Sequence, residues 1–98
     1  YIQGSGAMRT LVFREHALLR MAERGIRHHD VRAALEQGEV IRHYPEDTPY
    51  PSRLLLHWIE GQPLHVVAAP AGDDAEIIIT VYRPDPTLWE PDFKRKRP

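Results

Sequence analysis

The sequence predicts an α+β domain in which an N-terminal helical hairpin packs on one face of a four-stranded antiparallel sheet. Three observations lead there. Apolar residues recur at helical spacing in two short runs between positions 15 and 37, each closed by a glycine, Gly25 and Gly38. Four later segments are rich in the β-branched, leucine and aromatic residues that suit a pleated, half-buried surface. The connections between those segments are short, which makes sequence neighbours antiparallel.

In chain order, Tyr1–Ala7 ("YIQGSGA") reads as the remnant of a cleaved expression tag, with Met8 as the native start and no signal peptide after it. The stretch "FREHALLRMAERGI" then places Ala17, Leu18, Met21 and Ala22 on one face of a helix and His16, Arg20, Glu23 and Arg24 on the other. Gly25 stands where a left-handed residue ends a helix, and Ile26 supplies the apolar contact beyond it. A second helix runs from His29 or Asp30 to Gln37 with Val31, Ala34 and Leu35 inward. Asp30 suits its N-terminal dipole and Gly38 caps it.

The strand candidates are Glu39–Tyr44, Arg53–Ile59, Pro63–Ala69 and Ala75–Tyr82. Glu60-Gly61-Gln62 makes a tight hairpin between the second and third. The last two are nearly continuous apolar runs, the pattern of central strands covered on both faces. Residues 83–98 ("RPDPTLWEPDFKRKRP") form an irregular, Pro-rich, basic tail, with Trp89 and Phe93 positioned to pin it to the body. Residues 8–98 therefore read as one domain.

Composition narrows the function classes. No cysteine is present, so disulfides and thiolate metal sites are excluded and a reducing cytoplasm is the expected location. No apolar run approaches the roughly 20 residues that span a bilayer. The net charge of -1 leaves any nucleic-acid contact to a local patch, and Lys94-Arg95-Lys96-Arg97 closes the chain as one such cluster.

Two constellations carry chemistry. His16 and Arg20 lie side by side at i and i+4, so an imidazole and a guanidinium can address one phosphodiester. The plain alternative is a solvated helix face with a weak Arg20–Glu23 pair. On the sheet, His65 interrupts an apolar run, and strand alternation lets it share a face with Tyr82, with Arg83 following. Here the alternative is a buried histidine bonded to a carbonyl. His28-His29 diverge by about 100° on a helix and chelate poorly. No metal site and no cofactor loop is expected.

Several stretches together resemble a known family. They are the opening H-A-x-x-R-M-x-x-R-G-I from His16, the Y-P-x-D turn from Tyr44 and the V-Y-x-P-D-P-x-x-W-x-P-D-F close from Val81. The chain from Phe13 to Arg97 is similar to the small bacterial family catalogued as domain of unknown function 4258. His57 departs from its pattern, which has a small residue there. The resemblance implies a fold like that of RelE-like and MqsR-like toxins of bacterial toxin–antitoxin pairs. It implies a partner too, a zinc-finger antitoxin of the YgiT/MqsA type whose C-x-x-C motifs, not this chain, hold the zinc.

The expected function is that of a metal-independent endoribonuclease that cleaves mRNA, some relatives acting on the ribosome, by 2′-hydroxyl attack on the adjacent phosphorus. His16 or His65 would serve as base or acid, Arg20 and Arg83 as phosphate clamps, and Tyr82 as proton donor or stacking ring. Arg24, Lys94 and Arg95 would contact RNA. The rival expectation is a non-catalytic protein-binding module. A small-molecule enzyme is a weaker one, for want of a cofactor loop.

Overall fold

The computed structural model describes residues 9–98; the expected tag remnant 1–7 and the expected start at Met8 lie outside the described residues. The chain runs β1 (Thr10–Phe13), α1 (Glu15–Arg24), α2 (His28–Gln37), β2 (Glu39–Tyr44), β3 (Ser52–Ile59), β4 (Gln62–Pro70) and β5 (Ala75–Tyr82). The strands form one sheet in the order β1-β5-β4-β3-β2. The class is α+β with a two-helix layer, but the expected four-stranded antiparallel sheet is corrected to five strands and mixed pairing. β2 to β5 form an antiparallel meander. β1 adds to β5 in parallel, with Thr10 opposite Ala75 and Phe13 opposite Ile78.

α1 begins after Arg14 in extended backbone and ends at Gly25, whose φ of 67° is left-handed. The Gly25 and Ile26 amides both donate to the Met21 carbonyl, and Ile26 is buried. The buried stripe of α1 is narrower than its apolar pattern: Ala17 and Met21 are enclosed, whereas Leu18 and Ala22 are exposed. α1 packs chiefly on β5, and one strand beneath a helix covers only a line of its surface. α2 lies over β3 and β4 and buries Val31 and Ala34. Its first turn is closed by Asp30, which accepts from the Arg27 amide at 3.0 Å.

Between helices and sheet lies the main core, where Ala17, Met21 and Val31 meet Leu55, Val66 and Ile78. Alternation sends the intervening residues to the opposite face, where Leu54, Leu56 and His65 are equally buried. That second face is covered by the C-terminal tail. The tail folds back on itself through Arg97 N–H to Leu88 O (2.9 Å) and Glu90 N–H to Arg95 O (2.8 Å), and it seats Trp89 against the sheet.

The two helix-ending glycines serve different purposes. Gly25 is needed for its positive φ, with nothing within 4 Å of a Cβ there. Gly38 has an ordinary φ of −74°, but a Cβ would lie 2.4 Å from the Ala34 carbonyl oxygen and 3.0 Å from that of Leu56. Both neighbours are main chain and cannot swing aside. Gly38→Ala is therefore expected to cost about 1–3 kcal/mol by overpacking, and Gly25→Ala about 1 kcal/mol by backbone strain. Urea denaturation of the two variants checks the order.

Candidate functional site

The tail-covered face of the sheet brings titratable groups together in one row. Tyr82, His65, Leu56 and Glu39 are register partners across β5, β4, β3 and β2. The next row holds Thr80, Val67, Leu54 and Arg42. The His65 ring is fully buried. Its Nε2 lies 2.8 Å from the Phe93 carbonyl and its Nδ1 3.1 Å from the Tyr82 hydroxyl. A carbonyl only accepts, so Nε2 carries the proton, Nδ1 is the acceptor, and the Tyr82 hydroxyl donates to it. Tyr82 and Trp89 meet the imidazole edge-on, at centroid distances of 5.2 and 4.6 Å.

The surroundings shift both groups. Burial pushes the His65 pKa down, with the Phe93 hydrogen bond opposing, so the ring is held neutral. Burial pushes the Tyr82 phenol up, the neighbouring Tyr44 phenol adds to this, and the Arg42 guanidinium opposes it. Tyr82 is half-buried. The corner therefore presents a protonated phenol, backed by a neutral imidazole, with the Arg42 cation within electrostatic reach.

The tail is what closes this corner. Phe93 holds its carbonyl on His65 from a left-handed backbone conformation, φ 56°. Its ring meets Trp58 edge-on at 5.7 Å. Lys94 pairs with Glu39 at 3.0 Å, and Arg95 pairs with Asp92 at 3.2 Å.

The remaining expected site residues are dispersed. His16, Arg20 and Arg24 sit on the exposed side of α1, with Arg20 and Glu23 3.9 Å apart in water. α1 belongs to the helix layer, so His16 and His65 lie on opposite sides of the sheet. Arg83 is half-buried beyond the end of β5, and one of its terminal nitrogens, Nη1, is enclosed with no hydrogen-bond partner among the described residues. Lys94 and Arg95 are both tied to carboxylates. His28 stacks on Phe13, with centroids 4.6 Å apart and planes 28° apart. Among the described residues no three His, Asp or Glu side chains gather as a metal-ligating group, and no helix is long and apolar enough to cross a membrane.

Arg42 and Tyr44 were not singled out by the sequence reading. The alternation of β2 puts them on one face, and the register across β3 and β4 turns that face to the same side of the sheet as Tyr82, within electrostatic reach of it.

Because His65 is neutral in the folded chain, its pKa there lies below the ordinary value of 6.5. The stability this confers is fully present above about pH 6.5 and is lost as the pH falls through the folded-state value. Replacing His65 with Ala is expected to remove that component and cost about 2–4 kcal/mol through the cavity and the orphaned partners. Tail release then frees the backbone around Lys94–Lys96, whose side chains are already exposed, to enter the active site of trypsin. Urea midpoints from pH 5 to 8 and the rate of tryptic cleavage check both effects.

Among proteins of established function no significant match is found, and no solved structure matches either. A family model does match: that described as Domain of unknown function (DUF4258) covers residues 13–83. This span takes in both helices, β2 to β5 and the Tyr82–His65 corner, and the chain belongs to that family.

Proposed function

We propose that the protein is an RNA-cleaving toxin of a bacterial toxin–antitoxin pair. In this reading it is a metal-independent endoribonuclease with a RelE/MqsR-like role, acting on mRNA in the cytoplasm, free or on the ribosome. A zinc-finger antitoxin of the YgiT/MqsA type restrains it. The observation that carries the reading is the hydrogen bond from the hydroxyl of the half-buried Tyr82 to a neutral His65 Nδ1, with Arg42 within electrostatic reach, on the sheet face away from the helices.

The chemistry follows from the direction of that bond. A 2′-hydroxyl seated against Tyr82 passes its proton to the phenolic oxygen as the phenol's own proton moves to His65 Nδ1. The 2′-oxygen attacks phosphorus and the P–O5′ bond breaks. The departing 5′-oxygen takes a proton from water, and the hydroxide left behind recovers the proton held on His65 by way of the Tyr82 hydroxyl, leaving a 2′,3′-cyclic phosphate, a 5′-hydroxyl and the site in its starting state. Arg42 neutralises the charge that builds on the non-bridging oxygens. His65 keeps its Nε2–H on the Phe93 carbonyl throughout and so stays oriented. His16, Arg20 and Arg24 lie across the sheet and belong to the surrounding surface in this scheme, not to the proton relay.

A second reading is a non-catalytic protein-binding module. The complete burial of His65, with both ring nitrogens occupied, favours it.

Incubating the purified chain with a labelled RNA and with DNA of the same sequence separates the two. Cleavage of RNA only is expected, because the attack requires the 2′-hydroxyl. Tyr82→Phe should slow it about 10²–10⁴-fold, Arg42→Ala about 10²-fold, and His16→Ala hardly at all. The rate should rise with pH until His65 is wholly neutral and then level off. RNA left intact by the folded wild-type chain leaves the binding module as the reading.

A further inference from the structure

A second concave surface lies on the helix side of the sheet, at the edge formed by β1. Between β1 and the first turn of α2 runs an open groove of about 580 Å³ lined by Arg9, Thr10, Phe13, His28, His29 and Arg32. Two arginines and two histidines line it, and no acid does. It adjoins a smaller pocket of about 220 Å³ in which Arg9, Arg32 and Arg53 meet Glu76 and Glu36.

The charge of this region does not cancel. The Glu76 carboxylate is buried and shared between two guanidinium groups: Arg9 Nη1 at 2.5 Å and Arg53 Nη1 at 2.9 Å. One carboxylate balances one of the two cations and leaves the other in surplus. Arg32 donates to the Arg9 carbonyl at 2.8 Å, and no carboxylate oxygen lies within 4.0 Å of it among the described residues. Of the acids in α2, Asp30 is already bound to the Arg27 amide and lies 3.4 Å from His29, and Glu36, four residues beyond Arg32, lines the adjoining smaller pocket. The groove also holds a flat surface. The exposed His28 ring is backed by Phe13, whose own side chain packs against the core.

We propose that this groove binds a nucleoside phosphate, with the phosphate against Arg9 and Arg32 and the base stacked on His28 over Phe13. Cations set beside a stacking platform, in a groove that no acid lines, suit a phosphodiester carrying a base. They suit an acidic peptide added to the edge of β1 less well. Such a strand would need the backbone acceptors of that edge, and Arg32 already occupies the Arg9 carbonyl at its start. The site lies across the sheet from Tyr82 and does not depend on the cleavage reading. The same chemistry can come from a free mononucleotide or from one unit of a single-stranded RNA.

Titration of the ¹⁵N-labelled full chain with 5′-AMP, followed by amide shifts, tests the site without any bond to cleave. A fluorescein-labelled oligoadenylate RNA and a glutamate-rich peptide serve as the other probes. Saturable shifts at Arg9–Phe13 and His28–Arg32 are expected, weakening with salt. His28→Ala and Arg32→Gln should each weaken binding about tenfold, with Arg32→Lys in between. His28 is exposed, so its variant remains informative if an Arg32 variant fails to fold. RNA bound more tightly than AMP identifies a strand as the source, and AMP alone identifies a free nucleotide. Absence of saturable shifts with both, affinities unchanged in His28→Ala and Arg32→Gln, or shifts produced by the acidic peptide instead would overturn the proposal.

Discussion

The central strands are apolar on both faces, and neither face can be left to water. β4 shows this most plainly: Leu64, Val66 and Ala68 point to the helices, while His65 and Ala69, on the other side, are just as enclosed. The helical hairpin covers the first face by ordinary side-chain packing. The second has only a Pro-rich tail to cover it, and a segment interrupted at Pro84, Pro86 and Pro91 cannot add a regular strand. It is attached instead at chosen points. Trp89 supplies apolar area, the Phe93 carbonyl supplies a partner for His65, and Lys94 reaches Glu39 at the far side of the row. A leucine at position 65 would bury as well, but it would not select one carbonyl of the tail. A satisfied buried polar group specifies a register that apolar contact alone does not. The neutral imidazole that aligns Tyr82 is thus first a fastening.

β1 depends on a different device. Four residues of parallel pairing at an edge are a slight hold. Glu76 on β5 reinforces it by binding Arg9, just before β1, while Arg53 on β3 occupies the other side of the same carboxylate. Removing a carboxylate from water is expensive, and here Arg53 bonds both oxygens, Nη1 to Oε1 at 2.9 Å and Nη2 to Oε2 at 3.2 Å, while Arg9 adds a second bond to Oε2. The arrangement links β1, β5 and β3 through one side chain. It also fixes Arg9 at the mouth of the groove beside α2, so the fastening of an edge strand and the charge of the groove have a common origin.

Much of this was legible in the residues. Helical spacing and the two glycines located both helices, and of the four meander strands two appear with the expected bounds and two with ends shifted by one residue. Alternation allowed His65 and Tyr82 to share a face if the hairpin were in register, and the pairing of His65 with Tyr82 across β4 and β5 supplies that register. What was not legible was non-local. "TLVF" at Thr10–Phe13 has strand-forming residues, but it is short, and its partner begins at Ala75, far along the chain. The apolar face of α1 was read as wider than the part that is buried, because periodicity reports what a helix can bury and not how many strands lie beneath it. Phe93 gave no sign that its backbone would turn left-handed and deliver a carbonyl to His65. Arg42, Arg32 and Arg9 look like ordinary solvated charges when read singly. Only the sheet register and the position of α2 gather them.

The same register explains how a chain of net charge -1 presents basic surfaces. Several of its acids are engaged in contacts within the chain. Glu76 is buried between two arginines, and Asp30 closes the first turn of α2. Asp47 accepts from Ser52, and Asp85 accepts from Thr87 at 2.8 Å. Asp92 accepts from the Lys94 amide at 3.0 Å. Backbone amides hold the carboxyls of Asp85 and Asp92 below their usual range, so they are fully ionised yet already engaged. Arg32 and Arg42, by contrast, have no carboxylate partner among the described residues. With a screening length of about 8 Å at physiological salt, an anion approaching either side of the sheet senses the nearby unpaired guanidinium more than the distant sum. Net charge therefore says little about what this chain binds. Where its acids are committed says a good deal more.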